Sequence, residues 1–254
     1  MYHKAITLYP KQDKIAYDEI KDLLWHFLFT LECNGQILKN YKVIEKENYL
    51  LYVTTPKQDS LDEKYDGCYV KKDKEELSKY FNLQIEDCGI DLESQSYCDC
   101  KKRTAMEMQT YDRDVDSVFT CCDCGKPIVL YELPYPKDSE DYCAIQWWQD
   151  NYAAMDMLWM NCLCDRHTGN QRVKFDSPLN KQGIEIAQYM SQQLQYPVYY
   201  HLACDYGKSI KTEQVNDKIT HVCPKCETIM KRVGIPPNYE IDVCQNCNLS
   251  FDAH

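Results

Sequence analysis

The sequence predicts an α+β fold, and three observations lead to this prediction. The first part of the chain alternates short runs of strand composition with apolar residues at helical spacing. The middle combines longer helical patterns with closely spaced cysteines. The last part contains two C-x-x-C pairs separated by seventeen residues, which is the spacing of a four-cysteine zinc site. We therefore expect a ferredoxin-like α+β unit at 1–95, a cysteine knuckle and helical region at 96–200, and a zinc ribbon at 201–254.

The N-terminal region is predicted to begin with a strand at 3–9 and a helix that Asp13 caps. The helix has one apolar face, because its apolar residues recur at intervals of three and four. These residues are Ala16, Ile20, Leu23, Leu24, Phe27, Leu28 and Leu31. Asn34 and Gly35 are typical of a helix C-terminus, so the helix should end there.

Two more strands and a second helix are predicted next. Residues 41–44 and 49–55 have strand composition and flank a turn at 45–48, which indicates a hairpin. Residues 73–83 have a helical pattern whose inward residues are Leu77, Tyr80 and Phe81. The order of strand, helix, strand, strand and helix indicates a ferredoxin-like unit. Its charges are scattered as on a solvated surface and His26 lies beside the apolar helix face, so no catalytic group is expected here.

The central region contains a second group of cysteines. Cys98-Asp-Cys100 is followed, after twenty residues, by Cys121-Cys122-Asp-Cys124-Gly125. A C-x-x-C pair followed by glycine is typical of a zinc knuckle, because glycine allows the positive φ of the turn after the second ligand. The preferred ligands for a second zinc ion are therefore Cys98, Cys100, Cys121 and Cys124.

Other arrangements of these cysteines stay open. Cys143 can complete the site instead of the C-x-C pair, as can Cys162, Cys164 or His167, and the region can also lack a metal. Cys122 is expected to be a spare thiol. The isolated cysteines are expected to be small buried apolar residues, namely Cys33, Cys68, Cys88 and Cys204.

Residues 143–162 carry the densest aromatic pattern and are expected to form a helix. Trp148, Tyr152, Met155 and Trp159 share one face of it, which we expect to lie in a core rather than to stack on nucleic-acid bases. A strand is predicted before this helix, at 128–133. A helix at 179–194 and a strand at 197–202 are predicted after it.

The strongest motif is formed by Cys223, Cys226, Cys244 and Cys247. Two residues between the cysteines of a pair let a tight turn direct both sulfurs at one zinc ion, which takes four thiolates tetrahedrally. Residues 228–230 and 239–243 have strand composition, and Pro236-Pro237-Asn238 marks a turn between them. Four protein ligands leave no open position, so this zinc should be structural. Two disulfides in a secreted tail are the competing interpretation.

The composition indicates a globular cytoplasmic protein. Of 254 residues, 44% are apolar and 27% are charged. No apolar run reaches the roughly 20 residues that cross a bilayer, and the N-terminus lacks the pattern of a signal peptide. We therefore expect no membrane association, reduced cysteines, and paired cysteines that act as metal ligands.

The net charge of −11 disfavours binding to nucleic acid, which requires clustered Lys and Arg side chains. From Pro197 onward, six Lys and Arg residues stand against seven Asp and Glu residues. Lys225, Lys231 and Arg232 can still form a local basic patch. Tyr199 and Tyr200 are then candidates for stacking on bases.

Several segments resemble a bacterial family of unknown function whose members contain a zinc ribbon and are suggested to bind nucleic acid. The segments are CCDCGKPIVLYELP at 121–134, the tryptophan-rich helix after it, LNKQG at 179–183, PVYY at 197–200, YGKS at 206–209, and the ribbon. The resemblance covers about residues 120–254 and implies that Cys121, Cys124 and the four ribbon cysteines bind zinc. Two departures leave these ligands in place: Glu227 stands where a knuckle usually has glycine, and the chain stops seven residues after Cys247.

Three functions are compatible with the sequence. The first is a non-enzymatic zinc protein that binds another protein, for example an immunity protein that neutralises a basic bacterial toxin. Acidic charge speeds encounter with a cationic partner, and the 21 tyrosines suit an interface. The alternative is a nucleic-acid-binding zinc-ribbon protein. A third is an enzyme with Cys162, Cys164 or His167 as its reactive group, but no oxyanion loop accompanies them.

Overall fold

The computed structural model describes residues 1–11, 16–111, 117–204, 211–215 and 218–253. The chain divides into two units, the first formed by Met1–Tyr97 with Val129–Cys143 and the second by Cys98–Ile128 with Ala144–His254. These units cut across the three predicted ranges, because segment 129–143 packs with the N-terminal unit. No helix in the described part of the chain is both long and apolar enough to cross a membrane.

The first unit is built on one antiparallel sheet and two helices. Its elements are β1 (Tyr2–Pro10), α1 (Tyr17–Cys33), β2 (Lys42–Glu45), β3 (Tyr49–Thr55), α2 (Cys68–Tyr80) and β4 (Phe81–Ile90). The strand order is β2-β3-β1-β4. The central strand β1 pairs antiparallel with both β3 and β4, so strands distant in sequence are adjacent in the sheet.

The core of the first unit lies between this sheet and the helices. Ile6 and Leu8 of β1 and Leu51 of β3 are fully buried, because alternate strand residues point to the same face. The predicted apolar face of α1 is largely confirmed, since its buried residues are Ile20, Leu24, Phe27, Leu28, Leu31 and Cys33. Asn34 and Gly35 end the helix as predicted, and Gly35 has a positive φ of 73°. The predicted cap Asp13 lies outside the described residues.

The prediction of a helix at 73–83 was wrong in its bounds. The helix α2 begins at Cys68 and ends at Tyr80, and Phe81 starts β4. Phe81, Leu83 and Ile85 alternate with polar residues, which is a strand pattern, and β1 supplies the partner strand. Phe81 is therefore buried as predicted, but from a strand.

The second unit is built on a six-stranded mixed sheet with the order β10-β11-β12-β7-β5-β6. The unit contains eight strands in its described residues, six of which form this sheet: β5 (Met106–Met108), β6 (Phe119–Cys121), β7 (Val198–His201), β8 (Thr212–Val215), β9 (Lys218–His221), β10 (Lys231–Ile235), β11 (Tyr239–Cys244) and β12 (Leu249–Asp252). Strands β8 and β9 form a separate hairpin. The helices are α3 (Cys143–Met160), α4 (Asp165–Val173) and α5 (Pro178–Leu194).

The aromatic face of α3 lies in the core at its N-terminal half, as expected. Trp148 and Tyr152 are buried, and Trp148 Nε1 donates a hydrogen bond of 3.1 Å to the carbonyl of Leu179. The ring of Trp148 also packs edge-on against Tyr200 of β7. Further along the helix Trp159 is half-buried, and the guanidinium of Arg172 lies over its ring.

The predicted strand at 128–133 was wrong. Residues Leu130–Glu132 form a short 3-10 helix in the first unit. A β-carbon built on Gly35 would lie 2.7 Å from Cβ of Leu130, so this side chain packs against the end of α1 rather than along a sheet. A short apolar run does not distinguish these outcomes by its pattern alone.

Candidate metal centres

The four C-terminal cysteines meet in the second unit. The Sγ atoms of Cys223, Cys226, Cys244 and Cys247 all lie within 4.8 Å of one another. Cys223 follows β9, Cys244 ends β11, and Cys247 lies in the turn before β12. The antiparallel pairing of β10 with β11 returns the chain, so that the second C-x-x-C pair reaches the first. The predicted strand at 239–243 and the turn at 236–238 are confirmed.

The central cysteines form a second cluster. The Sγ atoms of Cys98, Cys100, Cys121 and Cys124 also lie within 4.8 Å of one another. The amide of Cys98 donates to the carbonyl of Pro127 at 2.8 Å, which holds the C-x-C pair against the knuckle. The backbone amide of Cys100 lies 3.4 Å from Sγ of Cys98. The structure therefore groups the preferred set of cysteines and none of the alternatives to it.

The turns after the C-x-x-C pairs share one backbone conformation. Gly125, Glu227 and Asn248 each follow the second cysteine of a pair, and their φ values are 70°, 58° and 53°. The amides of Gly125 and Glu227 donate to the carbonyls of Cys121 and Cys223 at 2.8 and 2.9 Å. Asparagine visits this left-handed region readily, and glycine does so without strain. Glu227 thus adopts the turn that glycine usually provides, at a cost in backbone strain.

The donor set of each cluster fits a soft divalent cation. Bonds of roughly 2.3 Å to a tetrahedral zinc ion place neighbouring sulfurs roughly 3.8 Å apart. Sγ of Cys226 and Sγ of Cys244 are 3.5 Å apart, which is compatible with this arrangement. Each group can therefore hold one metal ion through four thiolates. Four protein sulfurs complete a tetrahedron, so neither centre offers a coordination position to a substrate.

The thiols within each cluster differ in acidity. Hydrogen bonds from the hydroxyl and backbone of Thr228 lower the pKa of Cys226 to about 6. Burial raises the pKa of Cys98, but the hydrogen bonds from Arg103, from the backbone amide of Cys100 and from the other cysteines of the cluster together outweigh it and bring the pKa to about 7. Burial raises the pKa of Cys121 and of Cys247 above the ordinary range. Full ionisation of either cluster therefore requires a compensating cation, whose binding would release protons.

Several predictions about the cysteines outside the two clusters were wrong. Cys33 and Cys143 form a disulfide across 110 residues, so Cys33 is not an isolated thiol and Cys143 is not a metal ligand. The expectation that the cysteines are reduced fails for this pair. Cys68 and Cys88 are exposed rather than buried. Cys204 is half-buried, and its Sγ lies 4.0 Å from Nε2 of His221.

A buried polar cluster beside the ribbon was not predicted. The Asp242 carboxylate accepts hydrogen bonds from Nδ1 of His221 at 2.9 Å and from Nε of Arg232 at 2.9 Å. Burial raises the pKa of Asp242, but the bonds from Arg232 and His221 hold it below its usual value. The arrangement of Asp242, His221 and Cys204 resembles a catalytic triad with a cysteine nucleophile. Burial, however, raises the pKa of Cys204 to about 12, so its thiol stays protonated.

A second buried cluster joins three strands of the large sheet. Oε1 of Glu107 in β5 accepts a hydrogen bond of 2.7 Å from Oγ of Ser250 in β12, and Nδ1 of His201 in β7 lies 3.2 Å away. Glu107 is fully buried, and within the described residues its Oε2 has no hydrogen-bond partner. A negative charge in this core requires a protonated His201 beside it. Isolated polar residues inside apolar strands were the only signal of this cluster in the sequence.

Some of the residues considered for the other two functions are buried or paired, and the others are exposed. Tyr199 and Tyr200 are buried, so they cannot stack on bases, and Arg232 is engaged by Asp242. Lys225 and Lys231 are exposed. Cys162, Cys164 and His167 are exposed as well, and within the described residues no hydrogen bond joins either thiol to the imidazole.

Two family models match parts of the chain. Residues 100–203 match a domain of unknown function (DUF2310), and residues 1–86 match another domain of unknown function (DUF8589). No curated protein matches the chain. The solution structure of a hypothetical Arabidopsis thaliana protein is similar at 12% identity over 37% of this chain and 92% of that protein, with a TM-score of 0.28. The matched families therefore supply no activity.

Proposed function

We propose that the chain is a non-enzymatic zinc-binding protein that acts by binding a basic protein partner. An immunity protein that neutralises a basic bacterial toxin is the concrete form of this proposal. The N-terminal unit is proposed to be ferredoxin-like and the C-terminal cluster a zinc ribbon, in a cytoplasmic protein of the bacterial family that the sequence resembles. Zinc is proposed for both centres, because it favours four tetrahedral thiolates.

The distribution of charge carries this proposal. The first unit contains 14 Lys and Arg residues and 22 Asp and Glu residues, a net charge of −8. The second contains 15 and 18, a net charge of −3. The acidic character thus belongs mainly to the unit without metal clusters, where it is not needed to hold a cation. A concentrated field of one sign accelerates association with a partner of the opposite sign.

The cysteine clusters support a binding role over catalysis. Both consist of four sulfurs, and neither leaves a coordination position for a substrate. Their expected contribution is to folding, because metal binding to such sites is coupled to the folded state. The function is accordingly assigned to protein surface rather than to metal chemistry.

The test is to isolate the partner and measure how it associates. The metal-loaded protein is used to recover binding proteins from the native cell, and a recovered partner is purified and recombined with it. We expect a stoichiometric complex whose association rate falls as salt rises. Replacing Glu45, Glu47 and Glu93 by Gln should slow association at least about threefold. Three matched neutralisations in the second unit, Asp165→Asn, Glu185→Gln and Glu213→Gln, should change it little.

Nucleic-acid binding is kept as the second candidate because Lys225 and Lys231 are exposed beside the ribbon. A filter-binding titration with DNA and RNA between 50 and about 500 mM salt tests it. Affinity that falls steeply with salt and is lost in Lys225→Ala/Lys231→Ala would favour this candidate. Such a result, without any protein complex, would overturn the protein-binding proposal.

A further inference from the structure

The first unit contains a cleft between α1 and α2 with a volume of about 200 Å³. Phe29 and His26 line it from α1, Tyr69 and Val70 line it from α2, and Glu140 and Asp141 line it from the segment before α3. Aromatic rings and carboxylates thus face the same small space. This combination differs from a simple apolar groove, because the acids make it a site for positive charge.

The aromatic part of the cleft is open to solvent. Tyr69 is 46% exposed, and Trp25, one helical turn before Phe29, is 55% exposed. The rings of Trp25 and Phe29 are stacked, with centroids 5.2 Å apart and planes 8° apart. Large aromatic side chains left on a surface next to a cavity are typical of interaction sites. The faces of such rings attract cations within about 6 Å.

The acidic part of the cleft contains one carboxylate available to a ligand. Asp141 accepts hydrogen bonds from the backbone amide of Cys143 at 3.0 Å and from Oγ of Ser139, so it mainly holds the start of α3. Oε2 of Glu140 accepts a weak bond from Sγ of Cys68 at 3.1 Å. In the described part of the chain, no cation pairs with Glu140, which leaves its charge uncompensated at the cleft.

The walls of the cleft are held in place before any ligand arrives. The disulfide between Cys33 and Cys143 joins the end of α1 to the segment that carries the two acids. At the start of α2, Gly67 packs so closely that a β-carbon on it would lie 2.8 Å from Oδ1 of Asn34. Preorganised walls reduce the entropy lost on binding.

We infer that this cleft receives a cationic side chain, an arginine or a lysine, from the protein partner. The inference rests on the proposed function and adds the position of the contact and the chemistry of its ligand. Tyr69 and the stacked rings of Trp25 and Phe29 would contact the apolar stem and the charged group of the side chain. Glu140 would pair with its positive charge. Arginine suits the site better, because its planar guanidinium both stacks on rings and pairs with a carboxylate.

The charge of the unit decides against other occupants. An anionic group, including a nucleic-acid phosphate, would enter a unit of net charge −8 beside an uncompensated carboxylate. A purely apolar side chain would remove water from Glu140 without replacing its interactions. A basic side chain alone satisfies both the rings and the carboxylate.

The test uses a small probe, N-acetyl-arginine amide, with N-acetyl-citrulline amide as its uncharged equivalent. Binding to the full chain is followed by NMR titration and by the fluorescence of Trp25, with Trp25→Phe identifying its signal. We expect a dissociation constant on the order of millimolar for the arginine probe and binding at least about fivefold weaker for citrulline. Equal binding of both probes would overturn the inference.

Variants locate the binding. Glu140→Gln and Tyr69→Ala should each lower the affinity for the arginine probe about five- to tenfold. Glu47→Gln makes the same charge change on an exposed turn, and Tyr17→Ala removes an exposed tyrosine elsewhere on α1, so both should bind as the parent does. If Glu140→Gln weakens binding no more than Glu47→Gln does, the overall negative charge of the protein attracts the probe and the cleft is not the binding site.

The same variants separate this inference from the proposed function. A partner protein that binds Glu140→Gln and Tyr69→Ala as tightly as the parent would refute the cleft while the protein-binding role stands. Failure to form any protein complex would refute the role itself. Loss of the complex in both variants, with their thermal unfolding unchanged, would support both the contact at the cleft and the protein-binding role.

Discussion

Gly125 packs against the carbonyl oxygen of Pro236, so closely that a β-carbon built on Gly125 would lie 1.8 Å from that oxygen. Gly125 follows the knuckle of the central cysteine cluster, and Pro236 lies in the turn between β10 and β11 of the C-terminal cluster. The two centres, separated by about a hundred residues, therefore meet through backbone. This contact explains why the C-terminal cysteines belong to a larger unit and do not form an independent tail.

Replacing Gly125 by Ala should destabilise the second unit by at least about 2 kcal/mol. Two effects contribute, because Gly125 has a φ of 70° and the added methyl group would collide with backbone that cannot move aside cheaply. Urea unfolding of the metal-loaded protein measures the change. Gly234→Ala is the matched control, since Gly234 has open space around its Cα, and should change stability by less than about 1 kcal/mol. Equal effects of the two variants would contradict the close contact.

Metal analysis of single cysteine variants should show two independent centres. We expect two zinc ions per parent chain, and one each for Cys244→Ser and Cys98→Ser, because serine does not supply a thiolate. Both variants should also unfold at lower temperature, since metal binding and folding are coupled.

Two cysteines outside the clusters provide the controls for metal content. Cys122→Ala removes a buried thiol next to the ligand Cys121, and Cys88→Ser removes an exposed one; both variants should keep two metal ions. Burial raises the pKa of Cys122 to about 12, so this thiol stays protonated beside the cluster. A parent protein purified without metal would refute the assignment of both centres.

The cysteine clusters could be predicted because their geometry is encoded locally. Each C-x-x-C pair specifies a turn within four residues, and only the meeting of two pairs depends on the fold. Cys98 and Cys100 form a C-x-C pair, so their meeting with Cys121 and Cys124 was only the preferred one of several arrangements and depended on the fold. By contrast, Cys33 and Cys143 pair across 110 residues, and nothing near either cysteine indicates its partner.

In the first unit, the predicted bounds of an element depended on how many residues its apolar pattern covered. The face of α1 repeats over four turns, whereas β4 contains only three alternating apolar residues, Phe81, Leu83 and Ile85. The buried polar clusters could not be predicted, because Glu107, His201 and Asp242 look like solvent-facing strand residues in the sequence. Only the pairing of β5, β7 and β12 brings Glu107, His201 and Ser250 together.

Breaking the Cys33–Cys143 disulfide should destabilise the first unit by about 2–4 kcal/mol. The bond closes a long loop, and its removal restores conformational freedom to the unfolded chain. Cys33→Ser/Cys143→Ser should therefore unfold at lower urea concentration than the parent without reductant. Cys68→Ser, which removes an unbridged thiol, should unfold close to the parent. A parent whose stability is the same with and without a reductant would contradict the prediction.

The His201–Glu107 pair should make stability depend on pH above neutrality. Burial lowers the pKa of His201, but the hydrogen bond and charge of Glu107 outweigh it, so the pKa lies above its usual value near 6.5. The groups facing this imidazole are Glu107 and Asp252. A raised folded-state pKa means that the pair contributes fully below about pH 6.5 and that its contribution is lost as pH rises through the raised value.

Urea unfolding between pH 6.5 and 8.5 tests this dependence while the thiolates keep their metal. Relative to His201→Gln, the parent should lose free energy of unfolding as the pH rises through the range, because His201 gives up the proton that the folded state holds more tightly than the unfolded chain does. Glutamine retains a donor for Glu107 without a titrating charge, so the comparison isolates the proton on His201. His167→Gln, at an exposed histidine of the same unit, should follow the parent. If the free energies of the parent and His201→Gln change in parallel with pH, His201 is not the titrating group.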